Sequence, residues 1–414
     1  MIAAMASVAL TIEQPSPLGR GRHFWFGTPN FFGSPMQILR RNMLYGLLAS
    51  AGIGRSLNAL HAHPHFPQPG GRSPSSSATP PGANADRAPG VSGQGEMKFR
   101  VLYTSERLPT EARKVLVNAH GGFAVDRRAG KEETYFALPG AGILQISSDL
   151  KTISMIDTPD EMRNINLHDT TIWHDADGTP YLTFPANDAG KIFTTTLDGK
   201  LVNALDAPTA SIEFEHPEIR DYFLGGGNFA PTAVEFLNGL YYVTTGYCNL
   251  DYVLTARINR DNRLEIAWND LAFGGKGEAL GQFGTAHGIT APPGKVRLDI
   301  ADRPHSRLDR FTRYGHYLSS LKMPSGSLPC DINYLDQHYS VVPALDGPDK
   351  KKGAPIYVLQ DEKLISTIMP KEDLGLENFV HVHNAALRRI NNKFYIIAQA
   401  WNPGDFAILE QAEV

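Results

Sequence analysis

Residues 281–311, GQFGTAHGITAPPGKVRLDIADRPHSRLDRF, contain the unit that decides the fold. A short polar start at His287 leads into an apolar run, and a Pro–Gly turn follows it. A second apolar run spans residues 296–302, and a third ends at Phe311. Short apolar runs that are separated by Gly, Pro and Asp turns are typical of antiparallel β-strands.

The same unit recurs six times between residue 97 and Val414. Its starts lie 43 to 63 residues apart, near the length of one four-stranded propeller blade. The starts are HGGFAV at 120, HDTTIW at 168, PTAVEF at 231, HGITAP at 287, CDINYL at 330 and HNAALR at 383. The second strands are ETYFAL, PYLTFP, LYYVTTG, VRLDIAD, HYSVVPA and KFYIIAQ. The pattern predicts an all-β, six-bladed β-propeller; the alternatives are a looser β-sandwich or two smaller β domains.

A segment before the first unit is expected to complete the last one. The sixth unit contains only three strands, of which KFYIIAQ and DFAILEQ are the second and third. A single blade cannot bury both of its faces, whereas a closed ring of six covers them. We therefore predict that KFRVLYT at 98–104 supplies the outer strand of the sixth blade and closes the ring.

Composition excludes several classes of protein. The chain has 414 residues, of which 42% are hydrophobic, and a formal net charge of -4. A nearly neutral, slightly acidic chain does not have the basic surface of a nucleic-acid binder. Two cysteines, Cys248 and Cys330, are too few for a disulfide framework. We expect two buried thiols, with a single bridge as the alternative.

The N-terminal part reads as a targeting segment. Arg40 and Arg41 precede a short Gly/Ala-rich apolar stretch that is too short to span a bilayer. The alternative is a chance arginine pair in a disordered leader. We expect an exported, periplasmic or extracellular protein with four segments: a leader or mis-set start (1–35), a twin-arginine-type export signal (36–62), a disordered Pro/Gly/Ser linker (63–96) and the propeller (97–414).

Three alternate blades begin with a histidine: His168, His287 and His383. Blade starts form a ring around one mouth of the axial channel, so these imidazoles should converge from directions about 120° apart. Three nitrogen ligands with an open position are typical of a catalytic zinc site. The pattern predicts Zn²⁺, or another divalent metal that prefers nitrogen, on these three residues.

Other histidines are less well placed for this role. His120 holds the same position in blade one and could be a fourth ligand, a neighbour of the ligands or a residue with no role; the last two are favoured. His381, two residues before His383, is a rival ligand because alternate residues share a strand face. The histidines that do not stand at a blade start are expected on the surface or in turns; they are His174, His216, His305, His316 and His338.

Blades three and four carry a resemblance to a known family. The segment 281–311 looks like an NHL repeat, and GYCN at 246–249 follows in the preceding blade. Together they resemble the peptidyl-α-hydroxyglycine α-amidating lyase (peptidylamidoglycolate lyase) family, whose members are six-bladed NHL-type propellers with zinc. The resemblance implies zinc ligands at His168, His287 and His383, a catalytic tyrosine at Tyr247 and an arginine near the substrate at Arg303.

The chain also departs from that family. FALPG at 136–140 has no arginine where the family has a catalytic one, and Arg127 or Arg128 could substitute. Asn384 stands where the family has a carboxylate that helps to bind calcium, so Ca²⁺ is doubtful. The family pairs the cysteine equivalent to Cys248 with a second cysteine at the start of blade three, and this sequence has no cysteine there.

These residues predict a metal-dependent, lyase-like enzyme that acts on a small hydroxylated or carbonyl substrate, or on a peptide. Tyr247 would be a general base or acid, and Arg303 would anchor a carboxylate or carbonyl. The alternative for Tyr247 is a packed aromatic at a strand end, and the alternative for Arg303 is a structural bond between blades, with Asp302 and Arg307 as partners. A non-catalytic monomeric propeller that binds a protein, peptide or glycan is the second hypothesis. A calcium-dependent sugar- or lactone-converting propeller is the third.

Overall fold

Residues 90–208, 214, 216–259 and 264–413 are described by the computed structural model, and the segments assigned to the leader and the export signal lie outside them. The described strands are β1 Ser92–Gln94, β2 Met97–Thr104, β3 Ala124–Val125, β4 Thr134–Leu138, β5 Gly142–Ile146, β6 Ile153–Met155, β7 Thr171–His174, β8 Pro180–Ala186, β9 Lys191–Thr196, β10 Leu201–Asp206, β11 Ala233–Leu237, β12 Leu240–Thr244, β13 Tyr252–Asn259, β14 Glu265–Gly274, β15 Ala286–Thr290, β16 Arg297–Asp302, β17 Arg307–Thr312, β18 Tyr317–Lys322, β19 Asn333–Tyr334, β20 Tyr339–Pro343, β21 Ile356–Gln360, β22 Lys363–Ile368, β23 His381–Ile390, β24 Lys393–Trp401 and β25 Asp405–Gln411. The described α-helices are short: α1 Thr110–Lys114, α2 Asp160–Arg163, α3 Pro217–Leu224 and α4 Pro370–Leu374.

The strands form six antiparallel sheets that are the blades of a β-propeller. Blades one to five each contain four consecutive strands, from β3–β6 to β19–β22. Every predicted blade start leads into the first strand of a sheet, and every predicted second strand pairs with it. The six-bladed fold expected from the repeat is confirmed.

Blade six is built from both ends of the described chain. Its strand order is β23–β24–β25–β2–β1. The pairing of β2 with β25 is antiparallel, with Phe99 opposite Gln411 and Thr104 opposite Ala407. The predicted closing strand is therefore confirmed. One difference is that β1 lies inside the segment 63–96 assigned to the linker, so the last residues of that segment belong to the sheet.

Tight turns set the register of several hairpins. Asn238 and Gly239 join β11 to β12 with φ of 54° and 84°, and Asn391 and Asn392 join β23 to β24 with φ of 50° and 63°. A two-residue turn with two positive φ angles matches the right-handed twist of the flanking strands. Asparagine and glycine tolerate this region better than other residues. These turns explain why short Asn/Gly pairs separate the apolar runs in the sequence.

The hydrophobic core is divided into layers between adjacent blades. Each of six clusters joins side chains of two neighbouring sheets. Between blades five and six, Phe99 of β2 packs with Ile356 of β21 and Ile396 of β24, all of them fully buried. Removing apolar surface from water drives this packing, so each blade is stable only against its neighbours.

Two further observations concern the sequence expectations. Cys248 and Cys330 are both free and buried, as expected. Within the described residues, no helix is long and apolar enough to cross a membrane.

Ring closure gives a test of stability. Replacing Phe99 by Ala removes a fully buried aromatic ring from the core that attaches the closing strand. We expect the free energy of unfolding to fall by about 3–5 kcal/mol, measured by urea titration. Lys98→Ala, on the same strand but half-exposed, is the matched control and should change it by less than about 0.5 kcal/mol. Equal losses for both variants would contradict the assigned role of β2.

Candidate metal centre on the propeller axis

The blade starts converge at one end of the inner strands. His168 lies three residues before β7, whereas His287 lies in β15 and His383 in β23. The ladder between β15 and β16 shifts register across His287, and that between β23 and β24 shifts across His383. A bulge of this kind breaks the strict alternation of side chains and re-aims the residue within it. Local irregularity therefore helps to turn these two imidazoles toward the axis.

The structure brings the three predicted histidines together. The ring centroids of His168 and His287 are 4.7 Å apart, those of His168 and His383 also 4.7 Å, and those of His287 and His383 5.0 Å. Each of the three residues is at most 3% exposed. Residues 96 to 215 positions apart in the chain thus share one small, buried volume.

A fourth imidazole, that of His120, joins this cluster. Its ring centroid lies 4.5 Å from that of His168 and 4.3 Å from that of His383. Nitrogen atoms of His120, His168 and His383 all lie within 4.8 Å of one another, a spacing that could hold a metal ion. The sequence reasoning favoured a neighbouring position or no role for His120. His287, one of the three predicted ligands, is not in this group, so within the described residues the spacing favours His120 in its place.

Backbone carbonyls orient two of the rings. His168 Nδ1 lies 2.7 Å from the carbonyl oxygen of Thr232, and His287 Nδ1 lies 2.7 Å from that of Cys330. A carbonyl can only accept, so Nδ1 of each ring carries the proton and Nε2 keeps its lone pair. Such a bond fixes the tautomer and direction of a metal-binding histidine.

Burial keeps the imidazoles neutral. It lowers the pKa of His168 to about 3, and burial also holds the pKa of His287 and His383 well below the usual value for histidine. Neighbouring imidazoles lower the pKa of His383 further. Neutral imidazole is the form that binds a metal.

The donor set fits a metal ion. Among the described residues, both ring nitrogens of His383 are buried without a hydrogen-bond partner. An unpaired buried polar group is costly, and a metal would satisfy one of these two nitrogens. Several neutral imidazoles in one place suit zinc or a similar borderline metal. A metal therefore explains an arrangement that is otherwise unfavourable.

Tyr247 and Arg303 lie beside the histidines, as the resemblance implied. The Tyr247 hydroxyl is 3.3 Å from Nε2 of His168 and 3.2 Å from Nε2 of His287. Arg303 donates from Nη1 to that hydroxyl over 2.9 Å and from Nη2 to Sγ of Cys330 over 3.2 Å. Burial raises the pKa of Tyr247, and the adjacent guanidinium of Arg303 opposes that rise.

The turn that carries Arg303 is held by other residues. Asp302 is fully buried and forms ion pairs with Arg307 at 3.0 Å and with His305 at 2.5 Å. It also accepts the backbone N–H of Gly284 over 2.9 Å. The structural bond considered for Arg303 is therefore made by Arg307, and the Arg303 guanidinium is directed to Tyr247 instead.

Several predicted alternatives lie elsewhere. His381 interacts with Asp346, with Nδ1 3.0 Å from Oδ1, and is not in the cluster. Arg127 donates to Asn333 over 3.1 Å, and Arg128 pairs with Asp126 at 2.6 Å. Neither is bonded to Tyr247 or the histidines, so the structure offers no support for either as the missing blade-one arginine.

Sequence reasoning missed residues that support the site. The amide of Asn166 is hydrogen-bonded to Nδ1 of His120 over 2.8 Å, and the Trp401 ring stacks on His120 at 5.4 Å. Thr232 and Cys330 act through carbonyl oxygens, which no sequence motif reveals. The signal available for His120 was its position at a blade start, the same signal that identified the other three.

Comparisons with known proteins give a fold likeness only. No family model and no curated protein matches the sequence. Among solved structures, virginiamycin B lyase from Staphylococcus aureus is 14% identical, with 76% of this chain and 99% of that chain covered and a TM-score of 0.44. A gluconolactonase from Xanthomonas campestris is 11% identical, with 72% and 88% covered and a TM-score of 0.43. A streptogramin B lyase is 12% identical, with 71% and 94% covered and a TM-score of 0.40.

At such low identities and scores, these likenesses say nothing about what this chain binds or converts. The chain has structural neighbours among β-propellers, and no family is assigned to it. The resemblance to the amidating lyase family remains a prediction from the residues of blades three and four.

Metal content tests the cluster. Replacing His383 by Ala removes a buried candidate ligand, so we expect bound metal to fall from about one ion per chain to near none in elemental analysis after dialysis. His381→Ala, two residues away and paired with Asp346, should keep the full content. The same measurement on His287→Ala and His120→Ala identifies the remaining ligands. Unchanged metal in His383→Ala would remove the hypothesis of an axial metal centre.

The turn beneath Arg303 predicts a pH effect on stability. Burial opposes the charged form of His305, but the hydrogen bond and attraction to Asp302 raise its pKa. A raised folded pKa stabilises below the unfolded value of about 6.5, and that stabilisation disappears as pH rises through the folded pKa. His305→Gln should therefore lower the urea midpoint more at about pH 5.5 than at about pH 9. His316→Gln, in an exposed turn, is the control and should show no such difference.

Proposed function

We propose that the protein is a metal-dependent lyase that cleaves a carbon–nitrogen bond in a small α-hydroxylated substrate, such as an acyl-α-hydroxyglycine. The observation that carries this proposal is the Tyr247 hydroxyl, which lies among the axial imidazoles and accepts a hydrogen bond from Arg303. A hydroxyl between candidate metal ligands and a fixed cation is placed for proton transfer.

The metal would be held by three or four of the axial imidazoles, His120, His168, His287 and His383. A bound Zn²⁺, or another divalent ion that prefers nitrogen, supplies Lewis acidity that stabilises negative charge on a substrate oxygen. The chain contributes neutral imidazoles whose direction is fixed from behind by the carbonyls of Thr232 and Cys330. Calcium has no part in this proposal.

Tyr247 would move the proton in the reaction. Cleavage of an α-hydroxyamide removes the hydroxyl proton, forms the carbonyl group and breaks the C–N bond, and the leaving nitrogen gains a proton. The Tyr247 oxygen would take the first proton and return it to nitrogen, so the side chain is unchanged after each turnover. Burial raises the Tyr247 pKa, and the Arg303 guanidinium offsets part of that rise and so reduces the cost of the phenolate that this step requires.

Arg303 has a second task in the proposal. Only its Nη atoms are used by Tyr247 and Cys330, and among the described residues its buried Nε has no hydrogen-bond partner. A planar guanidinium with a spare donor can bind a carboxylate or carbonyl oxygen. The substrate carboxylate would then lie beside Tyr247, which is itself half-buried.

The proposed setting is outside the cytoplasm. The Arg40–Arg41 pair and the apolar stretch that follows support export as a folded protein, and the substrate would be a small molecule or a peptide end. We also propose that the protein is a monomer and that it does not bind nucleic acid.

A second function is favoured by one observation. His120 adds a fourth imidazole, and three of the four histidines are at most 3% exposed. Four protein ligands and no open position define a structural metal site rather than a catalytic one. In that case the metal would hold the blades together at the axis. The propeller would then bind a protein, peptide or glycan on one of its faces.

Activity decides between the two. Tyr247→Phe should reduce the rate of glyoxylate release from benzoyl-α-hydroxyglycine by about a hundredfold to ten-thousandfold, because it removes the proton-transfer group. Metal content should be unchanged. Tyr314→Phe, an exposed tyrosine of blade four, is the control and should retain full activity.

X-ray absorption of the metal-loaded protein provides the second readout. Three nitrogen ligands and an exchangeable oxygen support the enzyme, whereas four nitrogens support the structural site. A wild-type protein that binds one metal with four nitrogens and releases no glyoxylate would overturn the lyase proposal.

A further inference from the structure

A second cavity lies further along the axis, past the histidines. Its volume is about 280 Å³, and it is lined by residues that follow the blade starts on the inner strands. Among them are Thr170 and Thr171 of blade two, Glu235 of blade three and Thr290 of blade four. Because the inner strands run along the axis, this cavity lies at the opposite mouth of the channel from the proposed metal.

The space between the two regions is closed. Asp169 and Asp331 border both the histidine cluster and the second cavity, and the gap there is too narrow for a water molecule. Glycines make room for these carboxylates: a Cβ on Gly122 would lie 1.7 Å from Asp169 Oδ1, and one on Gly288 would lie 2.3 Å from Asp331 Oδ1. The cavity is therefore a separate compartment and does not belong to the proposed lyase site.

The inner end of the cavity is acidic and lacks a cation. Asp169, Glu235 and Asp331 line it, and within the described residues none of the three forms an ion pair. Both oxygens of Glu235 accept backbone N–H groups, from Phe236 and Ala291, over 2.8 Å each. Burial raises the pKa of Glu235 to about 7, as expected for a carboxylate without a charged partner.

A buried hydroxyl at the same place has no partner. Thr170 is 4% exposed, it lines the cavity, and its Oγ1 makes no hydrogen bond in the described part of the chain. Buried hydroxyls are normally paired, so an orphan that borders a cavity points to a missing ligand atom. Its neighbours are carboxylates, and the group that would satisfy both is a hydrogen-bond donor with positive charge.

The rim of the cavity carries the opposite charge. Arg127 lines the cavity and is exposed, and it donates from Nη2 to Asn333 Oδ1 over 3.1 Å. A guanidinium has five N–H donors, which suit a carboxylate. The cavity thus has three carboxyl groups at its base and a guanidinium at its rim.

We propose that this cavity is a binding site for a small zwitterion, an amino acid whose ammonium group lies against Glu235, Asp331 and Thr170 and whose carboxylate lies against Arg127. An ammonium group has three donors and one positive charge, which match the carboxylates and the Thr170 hydroxyl. The volume corresponds to that of about nine liquid water molecules, which is enough for a short amino acid.

A metal ion fits the cavity less well. Asn384 turns its amide nitrogen toward Asp331, with Nδ2 donating to Oδ2 over 3.2 Å, and its oxygen accepts the N–H of Phe123 over 3.2 Å. Calcium requires six to eight oxygen ligands, and here an N–H donor and the Arg127 cation occupy positions around the site.

Isothermal titration calorimetry of the full-length protein tests the proposal. The probes are glycine, γ-aminobutyrate and ε-aminocaproate, which differ only in the distance between their charges. Butylamine and butyrate each lack one charge and are the matched control ligands, and Ca²⁺ is the control cation. We expect one of the three zwitterions to bind at one site, at least about tenfold more tightly than butylamine or butyrate.

Variants assign the binding to this cavity. Glu235→Gln and Thr170→Val should each weaken binding of that zwitterion by about tenfold or more, and Arg127→Gln should do so from the exposed rim without loss of folding. Glu377→Gln, an exposed carboxylate elsewhere in the protein, should leave binding unchanged. The proposal is overturned if no zwitterion binds up to about 10 mM, if Ca²⁺ binds and displaces the zwitterion, or if Arg127→Gln and Thr170→Val bind as the wild type does. Glyoxylate release is not part of this readout, so the two proposals fail independently.

Discussion

Convergence of the inner strands on one axis is the constraint on which the site depends. It forces the first residues of several blades into contact, so that side chains such as His168, His287 and His383 meet although the chain between them forms complete sheets. Burying several imidazoles costs free energy, and burial keeps them uncharged. The packing of six blades around the axis maintains this unfavourable arrangement, and a metal ion would relieve it.

The repeat made the fold and the position of the histidines predictable. The position of a residue within its blade can be read from the sequence, and that position determines how far along the propeller axis the residue lies. Direction is less visible: the bulge at His383 decides that this ring, and not that of His381, joins the cluster. His120 shows that proximity to the axis is available to every blade and is not limited to three alternate ones.

Contacts that depend on turn geometry also could not be predicted from the sequence. Asp302 pairs with Arg307 within their turn, and Arg303, for which a structural bond to Asp302 was the alternative, is directed to Tyr247 instead. Arg127 follows the inner strand of blade one, so it lies past the histidines along the channel and at the other mouth. Knowing the residue types alone could not distinguish these two outcomes for an arginine near a blade start.

The composition of blade six has a consequence for biogenesis. Strand β2 is synthesised early, but its partner β25 lies more than three hundred residues later, near the end of the described chain. During translation β2 must wait with an unpaired edge while five blades form, and the ring can close only after β25 leaves the ribosome. Folding of this propeller therefore cannot finish before β25 has been synthesised, and until then one edge of β2 stays open to other strands.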